Sequence, residues 1–521
     1  MPQRQTAEAL NSFPTRISDI IKPWVELSPD HPAVVEGTDV WTYRQLSIAV
    51  NETSSWLLSL EIRPGDRVMI VCENSRGCVA ILLALAAMDA WPVLVNARLS
   101  APEIDGICQH SGARRVIYTT NVSVHARQHA QRHGALIRGV GGLGLIGIGL
   151  LNEKAEPEPV DSETANNVAA MIYTSGTTGV PKGVMLTHKN LLFVATVSAK
   201  LRSLSPKDRV YGVLPMSHAV GLSVVLLGTL LSGATLYLSA RFDPVATLLA
   251  LEKGQLTVLL GVPSMFALLV DYAKSKGMAA LKVPSLRIIS SSGAPLQAQL
   301  KEAVQNLFGL VLHNGYGVTE LSPNIAQTSV EAPRTDTSVG RVIPGVAAKI
   351  VNDDGTEVAE GKVGELRVRG PNVMKGYYKN REETSAAIDQ EGWFNTRDLA
   401  KLENGHLFIV GRTKELIIRF GFNIYPAEVE LVLSSHPAVV RCAVMGRSLG
   451  GEEEVIAFVQ LAEGSQVTVA ELAKHAARNL TKYKQPSEFY IVREMPTTAS
   501  GKVKKDELAR MFGILPPLQR S

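Results

Sequence analysis

Tyr173-Thr174-Ser175-Gly176-Thr177-Thr178-Gly179-Val180-Pro181-Lys182-Gly183 is the stretch on which the reading of this chain turns. Its small hydroxyl residues and glycines offer many backbone N–H and side-chain O–H donors with little bulk. A loop of this composition can wrap around phosphate oxygens, and Lys182 adds a point charge. The GxxxxGK[ST] spacing of the Walker A loop is absent. Outward from the loop, short β-branched runs alternate with longer helical patterns, the signature of α/β units. Arg67-Val68-Met69-Ile70-Val71 predicts a buried strand, Val79 to Met88 an apolar helix, and Pro92-Val93-Leu94-Val95 a second strand. The rhythm recurs at Val258–Leu260, Leu286–Ser290 and Leu310–His313. Val342 to Arg369 alternates instead, which predicts antiparallel β structure. After Arg412 come a helix over Ala427–Leu433 and strands near Ala438–Met445 and Val455–Leu461. The predicted fold class is α/β: a large N-terminal domain (1–411) of α/β subdomains plus a β-rich subdomain, then a small α+β C-terminal domain (412–521). Gly134 to Leu151, rich in glycine, and Asn152 to Glu163, acidic and proline-bearing, read as connectors.

The bulk numbers agree with that division. A chain of 521 residues is too long for one hydrophobic core. Its hydrophobic fraction of 45%, charged fraction of 20% and net charge of +4 describe an ordinary soluble protein, with nothing to suggest a nucleic-acid or membrane partner. Gly221 to Ala240 carries no charge, yet Ser232-Gly233 interrupts it and Ala234–Leu238 reads as a strand. A buried helix, a turn and a strand are expected there, not an integral membrane span. Cys72, Cys78, Cys108 and Cys442 form neither a disulfide framework nor a zinc spacing, which points to a reducing, cytoplasmic compartment. The first residues lead into no apolar signal core.

From Thr174 to Gly183 the string resembles the signature loop of the adenylate-forming superfamily: acyl-CoA synthetases, peptide-synthetase adenylation domains and firefly luciferase. Further blocks follow in that superfamily's order. The resemblance implies that Thr174, Ser175, Gly176, Thr177, Thr178, Gly179 and Lys182 hold the phosphates of ATP. In Leu214–Leu222 it places His218 between acid and thiol channels. The turn Gly293-Ala294-Pro295 would meet adenine. Within Asn314-Gly315-Tyr316-Gly317-Val318-Thr319-Glu320, Tyr316 would stack on adenine, Thr319 bond the α-phosphate and Glu320 hold Mg²⁺, a hard cation that prefers carboxylate and phosphate oxygen. Asp398 would accept both ribose hydroxyls, although the family more often has glycine where Arg397 stands. Arg412 would lie near the ribose and Lys414 at a hinge, with Gly421 and Phe422 lining the coenzyme A tunnel. Lys502, in Pro496–Lys502, would be the catalytic lysine, acting with Thr319, Glu320 and His218.

The implied activity is an AMP-forming acid–CoA ligase that uses ATP, Mg²⁺ and coenzyme A, with a C-terminal domain that moves between half-reactions. Amino-acid adenylation domains carry an aspartate where this chain has Ala219, which argues against an amino-acid substrate. Ala219, Val220, Val224, Ser290, Gly293 and Gly315 predict an uncharged acid pocket suited to a hydrophobic monocarboxylic acid, either a medium- or long-chain fatty acid or an aromatic acid. The alternative is an acyl-adenylate ligase that loads a carrier-protein thiol. The resemblance also suggests a protein lysine acetyltransferase acting on Lys502. Oligomeric state stays open, a homodimer included.

Overall fold

The computed structural model describes residues 14–174, 182–419, 422–449, 452–498 and 503–514. Two large sheets dominate. One has eight strands in the order Gly376–Tyr377, Lys182–Thr187, Val168–Thr174, Trp91–Asn96, Arg67–Cys72, Arg115–Tyr118, Gly144–Ile148 and Leu136–Val140. The other has nine, with a parallel centre of Leu312–Gly317, Ile288–Ser291, Val258–Gly261, Arg209–Gly212, Thr235–Leu238 and Pro32–Glu36. The continuous apolar runs read as buried strands are buried on both faces, as in Arg67–Cys72 and Trp91–Asn96. The helix Arg76–Ala87 is capped by Ser75, whose hydroxyl accepts from the Cys78 N–H, and every residue from Gly77 to Ala86 is buried.

A four-stranded antiparallel sheet, Ala347–Val351, Gly364–Arg369, Phe394–Glu403 and His406–Arg412, supplies the expected β-rich part. The small C-terminal domain has its own hydrophobic clusters, drawn from Ile417 to Ile514, around the three-stranded sheet Val439–Leu449, Glu452–Leu461 and Glu488–Val492. The uncharged segment is a π-helical run, Val220–Leu227, then Gly228–Leu231, a turn and the strand Thr235–Leu238. Among the described residues no helix is long and apolar enough to cross a membrane.

One expectation is corrected. Gly134 to Leu151 is not a connector but a β-hairpin on the edge of the eight-stranded sheet, with Leu136 opposite Ile148 and Val140 opposite Gly144. Two of its glycines are closely packed: a Cβ on Gly147 would lie 3.0 Å from the Ala130 Cβ, and one on Gly149 would lie 3.0 Å from the Val116 carbonyl oxygen.

Candidate active site

The glycine- and hydroxyl-rich loop begins and ends on paired strands, because Thr174 lies directly opposite Lys182 in the antiparallel ladder. Ser175, Gly176, Thr177, Thr178 and Gly179 fall outside the described residues, as do Gly421 and Lys502. Lys182 is placed: its Nζ is 2.6 Å from Glu383 Oε2 and 5.2 Å from the centre of the Tyr377 ring.

The strand Leu312–Gly317 runs into a 3₁₀ turn, Thr319–Leu321, and so delivers Tyr316, Thr319 and Glu320 to one end of the nine-stranded sheet. Tyr316 donates its hydroxyl to Asp398 Oδ2 at 2.5 Å, and Arg412 Nε donates to Asp398 Oδ1 at 2.9 Å. The Asp398–Arg412 pair follows from register, since the two residues face each other across adjacent strands. Burial, followed by the charge of Asp398, pushes the Tyr316 phenol well up, so it remains a donor at neutral pH. Tyr316, Asp398 and Arg412 are thus brought together from three separate segments.

Asn314 is held by the backbone around it. Its Nδ2 donates to the carbonyls of Thr337 and Ser338, and its Oδ1 accepts from the Gly315 N–H, so the side chain braces the strand. Gly317 is a steric requirement, because a Cβ there would stand 1.8 Å from the Pro323 carbonyl oxygen. Gly293, at φ +84°, forms the turn after Ile288–Ser291 with Ala294 and Pro295, and both Gly293 and Pro295 are exposed.

Glu320 is half-buried. Its Oε1 accepts from the Tyr377 hydroxyl at 2.9 Å and its backbone carbonyl from the Met374 N–H at 2.9 Å. No described residue pairs with Oε2, which leaves one oxygen of an anchored carboxylate open. That arrangement fits a hard divalent cation that keeps most of its other ligands from phosphate and water.

His218 sits on the turn before the π-helical run, its N–H donating to the Pro215 carbonyl at 3.0 Å. Its Nε2 is closed off from solvent and has no partner among the described residues. Burial, with the nearby charge of Arg98 adding to it, pushes its pKa down, so the imidazole is neutral at pH 7. The Ser217 and Ser291 hydroxyls are likewise buried without partners. Gly221 permits the π-helical run to press on this turn, since a Cβ would lie 2.1 Å from the Pro215 carbonyl oxygen. Ala219, Val224 and Ser290 are buried, Val220 and Gly315 half-buried, and none of them carries a charge.

Several residues that hold this site escaped the sequence reading. Asn74 donates to the Gly212 and Leu214 carbonyls and accepts from the Met216 N–H, which locks the segment leading to His218. Tyr377 and Glu383 flank Lys182 and Glu320, and no motif spacing singles them out. Lys414 lies in the 3₁₀ turn Thr413–Glu415, and Phe422 opens the strand Phe422–Ile424.

Residues 21–378 match the family model described as AMP-binding enzyme, and residues 428–502 that of the AMP-binding enzyme C-terminal domain. A feruloyl-CoA synthase from Amycolatopsis sp is 35% identical over 97% of this chain and 99% of its own. 4-Coumarate–CoA ligase 3 from Oryza sativa subsp. japonica is 31% identical over 93% of this chain and 90% of its own. Among solved structures, o-succinylbenzoate coenzyme A synthetase from Bacillus subtilis, in complex with ATP and magnesium ion, superposes with a TM-score of 0.81 at 30% identity, covering 94% of this chain and 99% of that one.

Proposed function

We propose, on the premise that this chain belongs to the AMP-binding enzyme family and carries that family's C-terminal domain as well, that it joins an aromatic monocarboxylic acid to coenzyme A using ATP. The chain is an acid–thiol ligase, as its named relatives are. The observation that carries the substrate reading is that Ala219, Val220, Val224, Ser290, Gly293 and Gly315, which would line the acid pocket, carry no charge. It is supported by relatives named for feruloyl and 4-coumarate substrates. A flat ring suits walls set by small side chains and glycines, whereas a second carboxylate or an ammonium group would lack a partner there.

In the reaction proposed, a carboxylate oxygen attacks the α-phosphorus of ATP. The bond to the bridging oxygen breaks, and its electron pair leaves on pyrophosphate. Thiol sulfur then attacks the acyl carbon, AMP leaves with the C–O bond pair, and the thiol proton passes to solvent or base. Most of the protein's share is positioning and charge. Asp398, fixed by Arg412 and Tyr316, would receive the ribose hydroxyls, with Tyr316 against adenine beside the turn Gly293–Pro295. Thr319 would bond the α-phosphate and the loop from Thr174 to Lys182 the outer phosphates. Mg²⁺, when bound, supplies charge neutralisation on the phosphates, and Glu320 is the residue that would hold it. Lys502 would bridge carboxylate and α-phosphate in the first step, and Gly421 and Phe422 would line the pantetheine path in the second. We assign the domain boundary to 411/412, the pivot of a mobile C-terminal domain to Lys414, and the protein to the cytoplasm, a placement the four free thiols support. Acetylation of Lys502 by a protein lysine acetyltransferase would remove its charge and stop the first step.

The test is a panel of cinnamic, benzoic, arylacetic and fatty acids, with acid-dependent pyrophosphate release as readout and either coenzyme A or a carrier protein as acceptor. The proposal expects the highest kcat/KM with a ring-bearing acid and acyl transfer to coenzyme A. A preference for alkyl acids, or transfer to the carrier alone, would overturn it.

A further inference from the structure

The segment Met374–Tyr377 grips Glu320 twice, through the Met374 N–H on its carbonyl and the Tyr377 hydroxyl on its carboxylate. Tyr377 is itself closely constrained. It pairs with Val184 on the strand that leaves the phosphate loop, and its N–H donates to Thr384 Oγ1 at 2.9 Å on the following helix, Arg381–Ala387. Its ring is buried, and its other side faces Lys182, whose Nζ stands 5.2 Å from the ring centre while bonded to Glu383. One side chain therefore contacts both Glu320 and Lys182, two groups through which positive charge can reach bound phosphates.

We infer that Tyr377 is a positioning residue for the nucleotide's cation: its hydroxyl holds Glu320 Oε1 so that Oε2 faces the metal, while its ring seats Lys182. The inference rests on the reading of Glu320 as the Mg²⁺ ligand. A carboxylate free to rotate must be ordered when the cation arrives, and a hydrogen bond made beforehand removes that cost. The ring contributes separately, because an ammonium over a π face is held where the phosphates will lie.

Tyr377→Phe keeps the ring and removes only the hydroxyl, so it separates the two contributions. The experiment is calorimetric titration of ATP into the full-length protein without acid, with Mg²⁺ and again with EDTA. It is supported by the electron paramagnetic resonance spectrum of Mn²⁺ in the ATP complex, and a melting temperature confirms folding. Tyr377→Phe is expected to lower the Mg²⁺-dependent gain in ATP affinity about tenfold and to broaden the Mn²⁺ signal, with metal-free affinity within about twofold of the parent. Equal losses with and without metal would assign Tyr377 a structural role and overturn the inference. Glu320→Gln serves as the reference. If it abolishes the Mg²⁺-dependent gain while Tyr377→Phe retains it, only the inference on Tyr377 falls. If Glu320→Gln also retains the gain, the assignment of the metal ligand falls with it.

Discussion

Gly317→Ala would test whether nucleotide activation depends on the close approach of two backbones. An ideal Cβ at Gly317 would stand 1.8 Å from the Pro323 carbonyl oxygen, 2.6 Å from its carbon and 3.2 Å from the Asn324 Cα. Real Cβ contacts almost never fall under 3.0 Å, so the chains must part by about 1.2 Å. The atoms in the way are backbone and cannot rotate aside. Overpacking of this kind costs about 1–3 kcal/mol, against a total stability of about 5–15 kcal/mol, so the variant should fold. Catalysis should suffer more. Gly317 lies between Tyr316 and the turn bearing Thr319 and Glu320, and a misplacement of about 1 Å in positioning groups can cost about 100-fold. Acid-dependent exchange of labelled pyrophosphate into ATP reads the first half-reaction alone, and its rate should fall by about that factor. Gly315→Ala is the control, two residues away on the same strand. Its added Cβ would meet only ordinary contacts, at 3.5 Å from the Ala326 carbonyl oxygen and 3.6 Å from the Gln327 Cβ. That variant should keep its KM for ATP and lose activity chiefly toward the bulkiest acids. A folded Gly317→Ala protein exchanging within about threefold of the parent would refute the argument, by showing that the strands part without moving the site.

Lys502→Ala should abolish adenylation yet leave transfer from supplied acyl-adenylate to coenzyme A largely intact; equal loss in both assays would contradict its assignment to the first step. Lys505→Met should destabilise the C-terminal domain by about 2 kcal/mol, because Lys505 Nζ lies 2.8 Å from Glu415 and 2.9 Å from Glu430, and its removal leaves those half-buried carboxylates facing each other. Limited proteolysis after Arg412 should accelerate accordingly, and an unaltered cleavage rate would argue against it. His188 and His313 have their pKa values pushed down to about 4 by burial, so below pH 6.5 both stay neutral in the fold but become charged on unfolding. Their contribution is whole above pH 6.5 and lost as pH falls toward 4, amounting to about 1–2 kcal/mol each at pH 5, and a urea midpoint equal at pH 7.5 and pH 5 would contradict this.

The parts of the molecule that were legible in the sequence are those whose physics is local. Arg67–Cys72 and Trp91–Asn96 announced themselves as continuous apolar runs, because a strand buried on both faces has no polar side to display. The family was legible in the string from Thr174 to Gly183, and residues 21–378 do match the AMP-binding enzyme model. The hairpin Leu136–Ile148 was not legible. Its glycines look like a linker until Ala130 and Val116, which press on Gly147 and Gly149, are seen beside the strand. Register was equally hidden. Asp398 and Arg412 each carried a motif, but only the antiparallel pairing made them partners. Tyr377 lies 57 residues from Glu320 and Asn74 lies 142 residues from Met216, so no window along the chain contains either contact.

Arg397 shows how a departure from a family pattern can be read physically. Where the resemblance leads one to expect glycine, the backbone here has φ +58°, the left-handed region that a side chain enters at a cost of about 1–2 kcal/mol. The conformation thus matches what glycine would adopt, and the departure lies in the residue and not in the path of the chain. Two contacts offset the strain. The Arg397 N–H donates to Asn395 Oδ1 at 2.8 Å, and its guanidinium reaches to 3.9 Å from Glu383, the carboxylate that also holds Lys182. Asp398, the next residue, keeps both its Tyr316 and its Arg412 bonds. The arginine therefore leaves the Asp398 carboxylate in place and adds a cation beside Lys182. A residue that departs from the expected motif is, in three dimensions, an added contact on the charge network around Glu383.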